Sequence, residues 1–192
     1  DDPRLRAHYP TLIPLYVEIN LESPATVISF LAKWLEAEEG SIRLAAVKGF
    51  GKVSEPTTVT ILREKLEDPD EKVRAATVDA LARLLDYELE NFIERLLQDH
   101  SYLVRKAVMK AISRLKLEDE YANLVERINE KKEEIHVRKT GIEQSAKVRY
   151  SYAIESLKRI MNDESEDSLI RGAAAQALLR ISPAAVIELL SR

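Results

Sequence analysis

The chain of 192 residues has no cysteine, only five glycines and seven prolines, and no apolar run long enough to span a bilayer. Without cysteine it can form neither disulfides nor thiolate zinc sites, which is typical of a reducing interior, and we expect a cytoplasmic protein. So few glycines and prolines leave little material for loops, so the connections must be short. A membrane-spanning helix needs about 18 or more consecutive apolar residues, and none is expected here.

Catalytic motifs are also missing. The three histidines, His8, His100 and His136, are far apart and none is followed by glutamate. There is no glycine-rich phosphate loop and no G-x-S-x-G turn, and no set of residues has metal-ligand spacing. Acidic pairs such as Glu38-Glu39 are typical of solvated helix faces. The residues therefore predict no metal, no cofactor and no enzymatic activity.

What the chain does contain is a repeat. An arginine recurs at intervals of 31, 31, 33 and 33 residues, each time after a β-branched apolar residue. These arginines are Arg43, Arg74, Arg105, Arg138 and Arg171. Self-similarity at this period is the signature of an array of stacked units, each burying an apolar face that it cannot bury alone.

Each period contains two amphipathic helices, here called helix A and helix B, with apolar residues at spacings of three and four. Helix A is predicted at about 24–38, 56–67, 87–98, 118–134 and 150–162. Helix B is predicted at about 41–53, 71–86, 101–116, 136–149 and 167–181. On the second helix B we expect Ala76 to face the stack and Ala82 to face outward.

The segment LEDPDEKVRAATVDALARLL, residues 66–85, resembles the second half of a HEAT repeat. The short period resembles the HEAT-like repeats first described in phycobilisome lyases. The resemblance implies an all-α fold, a right-handed α-α superhelix of about five helical hairpins, and a binding scaffold rather than an enzyme. It also implies that the acidic residues before each helix B and the repeat arginines join neighbouring repeats. These residues are Asp70, Arg74, Asp99, Arg105, Asp167 and Arg171.

The repeat pattern divides the chain into segments. Five repeats are predicted over 23–182, at 23–54, 55–86, 87–116, 117–149 and 150–182. Residues 1–22 are predicted to form an irregular cap or partial repeat, because Pro10 and Pro14 disfavour a regular helix. Residues 183–192 copy the start of helix A, which predicts the first helix of a truncated sixth repeat and a chain taken from a longer array.

The fourth repeat departs from the pattern. Where its neighbours have alanine and a large apolar residue, it has Gln144-Ser145, and Gly141 lies in the middle of its helix B. Glycine costs about 1 kcal/mol there relative to alanine. We expect looser packing, which is consistent with a hinge or docking notch or with drift in a tolerant inner repeat.

Charge separates the B helices from the rest of the chain. The windows 41–53, 71–86, 101–116, 135–149 and 168–182 hold 17 lysines and arginines against 4 acidic residues, and the remainder holds 12 against 29. The ninth residue after each repeat arginine is basic: Lys52, Arg83, Arg114, Lys147 and Arg180. The helix dipole alone favours cations at helix C-termini, so this series has a purely structural explanation, although Lys106 and Lys110 do not. The predicted partner-binding residues are Lys48, Lys52, Arg83, Tyr102, Lys106, Lys110, Arg114, Lys139 and Lys147.

This distribution predicts a protein-interaction scaffold that binds an acidic helix or extended segment on the concave helix-B surface. A nucleic-acid-binding protein resembling the HEAT-like DNA-repair glycosylases is an alternative. The isoelectric point of about 5.6 argues against it. A subunit of a tetrapyrrole lyase is a third reading, based on repeat length alone.

Overall fold

The computed structural model describes residues 3–20 and 23–190, and within these ranges no residue belongs to a β-strand. The helices are α1 Tyr9–Asn20, α2 Pro24–Ala32, α3 Gly40–Phe50, α4 Pro56–Glu64, α5 Glu71–Arg83, α6 Ile93–Leu96, α7 Tyr102–Leu115, α8 Tyr121–Asn129, α9 Ile135–Lys147, α10 Ile154–Asn162, α11 Ser168–Ile181 and α12 Pro183–Leu190. Short 3₁₀ helices lie at Pro3–His8, Lys65–Glu67, Tyr87–Phe92, Glu118–Glu120 and Ser151–Ala153. The all-α prediction is confirmed.

The chain divides into two compact units, Asp1–Ala107 and Val108–Arg192. In the first unit α3 packs against α1, α2 and α5, and α4 packs against α5. In the second unit α9 packs against α8 and α11, and α10 packs against α11. Each unit is therefore built from A–B hairpins whose B helices contact one another, as the repeat predicts. The exact repeat boundaries stay a prediction.

The N-terminal segment is more regular than the sequence analysis expects. Pro10 and Pro14 were expected to prevent a helix, but α1 continues through Pro14. Pro10 is the second residue of α1, where no N–H is needed. Pro14 loses one internal hydrogen bond, and burial of Ile13 and Val17 on the same face offsets that cost. Residues 1, 2, 21 and 22 of the predicted cap lie outside the described residues, as do 191 and 192 of the final segment.

The third helix A differs from its prediction as one continuous helix at 87–98. Residues Tyr87–Phe92 form a 3₁₀ helix, and only Ile93–Leu96 is α-helical. Leu89, Ile93 and Leu96 are nonetheless buried, so this shorter element still contributes its apolar side to the core. The apolar spacing indicated the buried face but not the type of helix.

Repeat arginines join consecutive repeats in both units. Arg43 forms a two-pronged pair with Asp68 of the next repeat, with Nε and Nη2 each 2.8 Å from a carboxylate oxygen. Its Nη1 donates to the carbonyls of Ala37 and Glu38 at 2.7 Å. Both charged side chains are nearly buried. Burial of two charges is costly unless they are paired and hydrogen-bonded, and this pair meets both conditions.

The same contact recurs with other residues. Arg74 pairs with Asp99 at 2.8 Å in the first unit, and Arg138 pairs with Glu166 at 2.6 and 2.9 Å in the second. Arg138 Nε also donates to the carbonyl of Ile128. We call these three pairs the arginine ladder.

Two acidic residues expected to join repeats form hydrogen bonds within their own repeat. The carboxylate of Asp70 accepts the backbone N–H groups of Lys72 and Val73 and caps α5. Asp167 caps α11 through the N–H of Leu169. An aspartate immediately before a helix satisfies N–H groups that have no partner within it. The ladder carboxylates lie one or two residues earlier in the chain.

The turns from helix B to the next helix A share one conformation. Leu85, Lys116 and Arg149 have φ values of 60°, 55° and 53°, in the left-handed region that favours glycine. In each turn the N–H of the following residue donates to a carbonyl five residues back, as in Asp86 to Leu81. This pattern closes the helix and directs the chain into the next element.

The fourth repeat is packed closely around Gly141, contrary to the looser packing expected. A Cβ atom at Gly141 would lie 2.9 Å from Met109 Cε, 3.1 Å from Ile128 Cγ1 and 3.3 Å from the Leu124 carbonyl oxygen. Neighbouring atoms therefore occupy the space that a side chain at Gly141 would need.

One of the two inserted polar residues is hydrogen-bonded. Gln144 accepts a hydrogen bond from the Ser113 hydroxyl at 2.5 Å, which links α9 to α7 within the second unit. Ser145 is fully buried, and its hydroxyl has no hydrogen-bond partner among the described residues. A second correction concerns the helix faces of α5: Ala82 is 2% exposed rather than outward-facing, and Ala76 is only half-buried.

Candidate functional site

The predicted partner-binding residues lie on the solvent-facing side of the B helices or just after them. Lys48, Lys52, Arg83, Tyr102, Lys110, Arg114 and Lys147 are exposed, and Lys106 and Lys139 are half-buried. Exposure follows from the spacing, because positions one, five and nine after a repeat arginine share one helix face, opposite the apolar stripe. No finding tests their role in binding, so this assignment stays a prediction.

The structure separates these cations into paired and unpaired ones. Lys52 Nζ lies 2.7 Å from Glu18 of α1, and Lys139 Nζ lies 3.7 Å from Glu143 one turn further along α9. For the other six, no salt bridge is found within residues 3–20 and 23–190. The six are Lys48, Arg83, Lys106, Lys110, Arg114 and Lys147.

Three of the unpaired cations form a stripe on α7. Lys106, Lys110 and Arg114 follow one another at intervals of four, which places them on one side of the helix. We call these three residues the α7 stripe. Like charges at this spacing destabilise a helix by about 0.2–0.5 kcal/mol per pair. The stability of the helix therefore does not explain why α7 has two successive pairs of like charges.

The corresponding positions of α9 are arranged differently. There Glu143 lies between Lys139 and Lys147, and the alternating charges attract. The α9 arrangement stabilises its helix, whereas the α7 stripe opposes helix formation, so the two stripes are not explained by the same local electrostatics.

Sequence reasoning missed a hollow at one edge of the second unit. Its lining comes from the C-terminal ends of α9 and α11 and from the turns that follow them. The lining residues are Ala146, Lys147, Arg149, Leu179, Arg180, Ile181 and Pro183. Arg149 and Leu179 do not belong to the periodic basic series. The basic residue at the eleventh position after Arg138 is the feature of the sequence that could have indicated the site.

Two further findings concern the described part of the chain. It holds no group of three or more histidine or acidic side chains placed to bind a metal ion. None of its helices is both long enough and apolar enough to cross a membrane.

Comparison with known proteins identifies the fold. Residues 62–135 match the family model for HEAT repeats. A similar solved structure is the complex of CpcE and CpcF of phycocyanin lyase from a Nostoc species, with a TM-score of 0.64 and 19% sequence identity. The match covers 83% of this chain and 66% of that chain, so this chain spans slightly less than two thirds of its neighbour's length. No curated protein sequence matches. The HEAT-like repeat architecture is therefore confirmed.

Proposed function

We propose that this HEAT-like repeat protein is a non-enzymatic interaction scaffold that binds an acidic segment of a partner protein on its helix-B surface. The fold supports a role in protein interaction, since repeat arrays present extended surfaces. The absence of cysteine supports a cytoplasmic location. Cell fractionation that recovers the protein from an oxidising compartment would contradict that location.

The α7 stripe is the observation that carries the proposal. Its three cations have no salt bridge among the described residues, and two of them, Lys110 and Arg114, are exposed. Tyr102 lies one turn before Lys106 on the same face and is 37% exposed. An acidic segment would relieve the repulsion along the stripe, and the aromatic ring would add contact area.

The helix dipole explains only part of this charge. A cation in the last turn of a helix gains about 0.3–1 kcal/mol, which covers Arg114. Lys106 is the fifth residue of α7, and Lys110 the ninth of fourteen. Neither lies in the last turn, where the dipole is felt, so their charge requires another reason.

The test is binding of a fluorescein-labelled peptide of alternating glutamate and aspartate, followed by fluorescence anisotropy. Replacing Lys106, Lys110 and Arg114 with glutamate should weaken binding by at least about tenfold, the equivalent of about 1.4 kcal/mol, while helix content by circular dichroism stays unchanged. A control variant reverses Lys33, Lys72 and Lys132, which changes the net charge equally at exposed positions off this face. Equal weakening in both variants would contradict a defined site.

Nucleic acid binding gives a different result in the same assay. A labelled single-stranded oligonucleotide would bind more tightly than the peptide, and its affinity would fall steeply with salt because each neutralised phosphate releases counterions. That outcome would replace the proposed partner class.

A subunit of a lyase assembly is the second candidate. It is favoured by the short repeat period and by the likeness to the CpcE and CpcF complex of phycocyanin lyase. Titration with a linear tetrapyrrole, followed by its visible absorption, tests it. A saturable spectral change at stoichiometric protein would support this candidate, and an unchanged spectrum would remove it.

A further inference from the structure

The hollow in the second unit combines positive charge with an apolar wall. It has a volume of about 520 Å³, within the range of small binding pockets. Lys147, Arg149 and Arg180 supply three cations, and no acidic residue belongs to its lining. The lining of the hollow is therefore positively charged.

None of the three cations forms a salt bridge with another described residue. Other cations of the same unit are paired, such as Arg138 with Glu166 and Lys131 with Asp163. Three unpaired cations around one open space repel one another. This is an unfavourable arrangement that an anionic ligand would relieve.

Helix capping does not account for Arg149. The last carbonyls of α9 already accept backbone N–H groups, those of Val148, Arg149 and Tyr150, at 2.9–3.3 Å. The turn holds Arg149 at a φ of 53°, so its backbone is fixed while its guanidinium remains available. Lys147 and Arg180, in contrast, lie in the last turns of their helices, where the dipole favours them.

The apolar part of the lining is unusually open. Leu179 is 53% exposed, although it belongs to a helix whose neighbouring residues Ala177 and Leu178 are buried. Ile181 and Pro183 lie beside it in the lining and are also accessible. Covering apolar surface releases about 25 cal/mol for each Å² removed from water, so an apolar group of a ligand would gain affinity here. An apolar patch bordered by charge is typical of an interaction site.

The first unit has a hollow at the corresponding edge with the opposite chemistry. It has a volume of about 310 Å³ and lies beside the turns around Ser54 and Leu85. Its charged lining residues are Glu55 and Asp86, and the carboxylate of Asp86 is held by Arg63, with Nε at 2.8 Å. The repeat framework therefore provides a hollow at this edge in both units, and of these two hollows that of the second unit is cationic.

We propose that the hollow of the second unit binds an acidic segment of a partner protein that places one apolar side chain against Leu179 and carboxylates against Arg149 and Arg180. The planar guanidinium fork matches a carboxylate with two hydrogen bonds, which favours arginine for this contact. This inference rests on the proposed function and names the chemistry of the segment: acidic residues on both sides of a leucine or a similar residue.

The test uses two labelled peptides, one with a leucine between two acidic triplets and one with alanine in its place. The leucine peptide should bind wild-type protein at least about fivefold more tightly, because only it can fill the hollow. Methyl NMR should show the signals of Leu179 and Ile181 shifting on addition of the leucine peptide. An unchanged Leu179 signal, or equal affinity of the two peptides, would overturn the inference.

A matched pair of variants tests the charges. Replacing Arg149 and Arg180 with glutamate should abolish the advantage of leucine over alanine. Replacing Lys116 and Lys132 should preserve it, since Lys116 has the same left-handed backbone in an equivalent turn but does not line the hollow. Circular dichroism verifies that both variants are folded.

The outcomes separate this inference from the proposed function. If reversal of the α7 stripe weakens peptide binding but reversal of Arg149 and Arg180 does not, the hollow is overturned and the scaffold proposal stands. If neither reversal weakens binding, both are overturned. If inorganic phosphate or an oligonucleotide displaces the leucine peptide at an equal or lower concentration than the unlabelled peptide does, the hollow is a general anion site and the inference is overturned.

Discussion

The two units of the chain share a framework and differ in what they place on it. In both, a repeat arginine reaches a carboxylate of the next repeat, and hollows lie beside the turns that follow the B helices. The hollow of the first unit contains carboxylates, one of them neutralised by Arg63, and that of the second contains unpaired cations. The repeat therefore fixes where side chains lie, and the non-repeating positions determine the charge of each hollow.

This difference separates positions needed for stability from positions available for binding. The ladder side chains are largely buried and form two-pronged pairs, so replacing one should strongly destabilise either unit. The cations of the α7 stripe and of the second hollow are at least partly accessible and have no salt bridge among the described residues, so their replacement should alter binding without unfolding the protein.

The largest expected effect is loss of a ladder arginine. Replacing Arg43 or Arg138 with methionine leaves Asp68 or Glu166 buried without its partner, and should lower the free energy of unfolding by about 3–5 kcal/mol in either unit. Replacing Lys158, which pairs with the exposed Glu155, should cost at most about 0.5 kcal/mol. Urea unfolding followed by circular dichroism measures both. A large loss of stability in one unit only would show that the arginine ladder does not stabilise both units.

Acid should weaken the ladder in both units. Burial favours the neutral form of Asp68 and Asp99, but hydrogen bonds from arginine and a backbone N–H outweigh it and lower the pKa of each. The pKa of Glu166 is lowered, chiefly by Arg138. Because these carboxylates bind protons more weakly when folded, their contribution is complete above the unfolded pKa of about 4 and is lost as the pH falls through the lower folded values.

Urea midpoints measured between pH 7 and pH 3 check this dependence. Replacing Asp68 with asparagine should flatten the acid side of the profile. A profile as steep as that of the wild type would mean that other carboxylates dominate.

A smaller loss is expected from filling the fourth repeat. Replacing Gly141 with valine should lower the free energy of unfolding by about 1–3 kcal/mol, because Met109, Ile128 and the Leu124 carbonyl already occupy the space. An unchanged urea midpoint would indicate that the second unit is looser than its contacts suggest.

Gly172 gives the opposite expectation in the same unit. Nothing lies within 4 Å of the position that its Cβ would occupy. Alanine should therefore raise the free energy of unfolding by about 0.5–1 kcal/mol through helix propensity and reduced freedom of the unfolded chain. Thermal denaturation compares it with the wild type, and a lower melting temperature would show an unfavourable contact that the structure does not contain.

The repeat arginines and apolar stripes were enough to predict the fold and most helix positions, because periodicity reports directly on buried faces. They were not enough to predict Asp68 as the ladder partner, since Asp68 and Asp70 are both aspartates before the same helix and only backbone geometry separates a cap from a bridge. The prediction of an irregular segment around Pro14 was wrong because it considered only local helix propensity. The burial of Ile13 and Val17 depends on tertiary packing, which the local sequence does not report.

Candidate binding residues were predicted where charge followed the repeat. Arg149 and Leu179 were missed because the hollow joins two turns that are about 30 residues apart in the chain. Charge counting also could not separate Lys52, which Glu18 neutralises, from the unpaired Lys48 on the same helix face.

The most direct test of the central claim is replacement of Lys110 with glutamate, which gives α7 the alternating pattern of Lys139, Glu143 and Lys147 in α9. If the stripe is kept for binding and not for stability, the free energy of unfolding should rise by about 0.8–2 kcal/mol as two repulsive pairs become attractive, and acidic-peptide affinity should fall by at least about threefold. Both quantities come from one preparation, by urea unfolding and fluorescence anisotropy. Lower stability with unchanged peptide affinity would contradict the account.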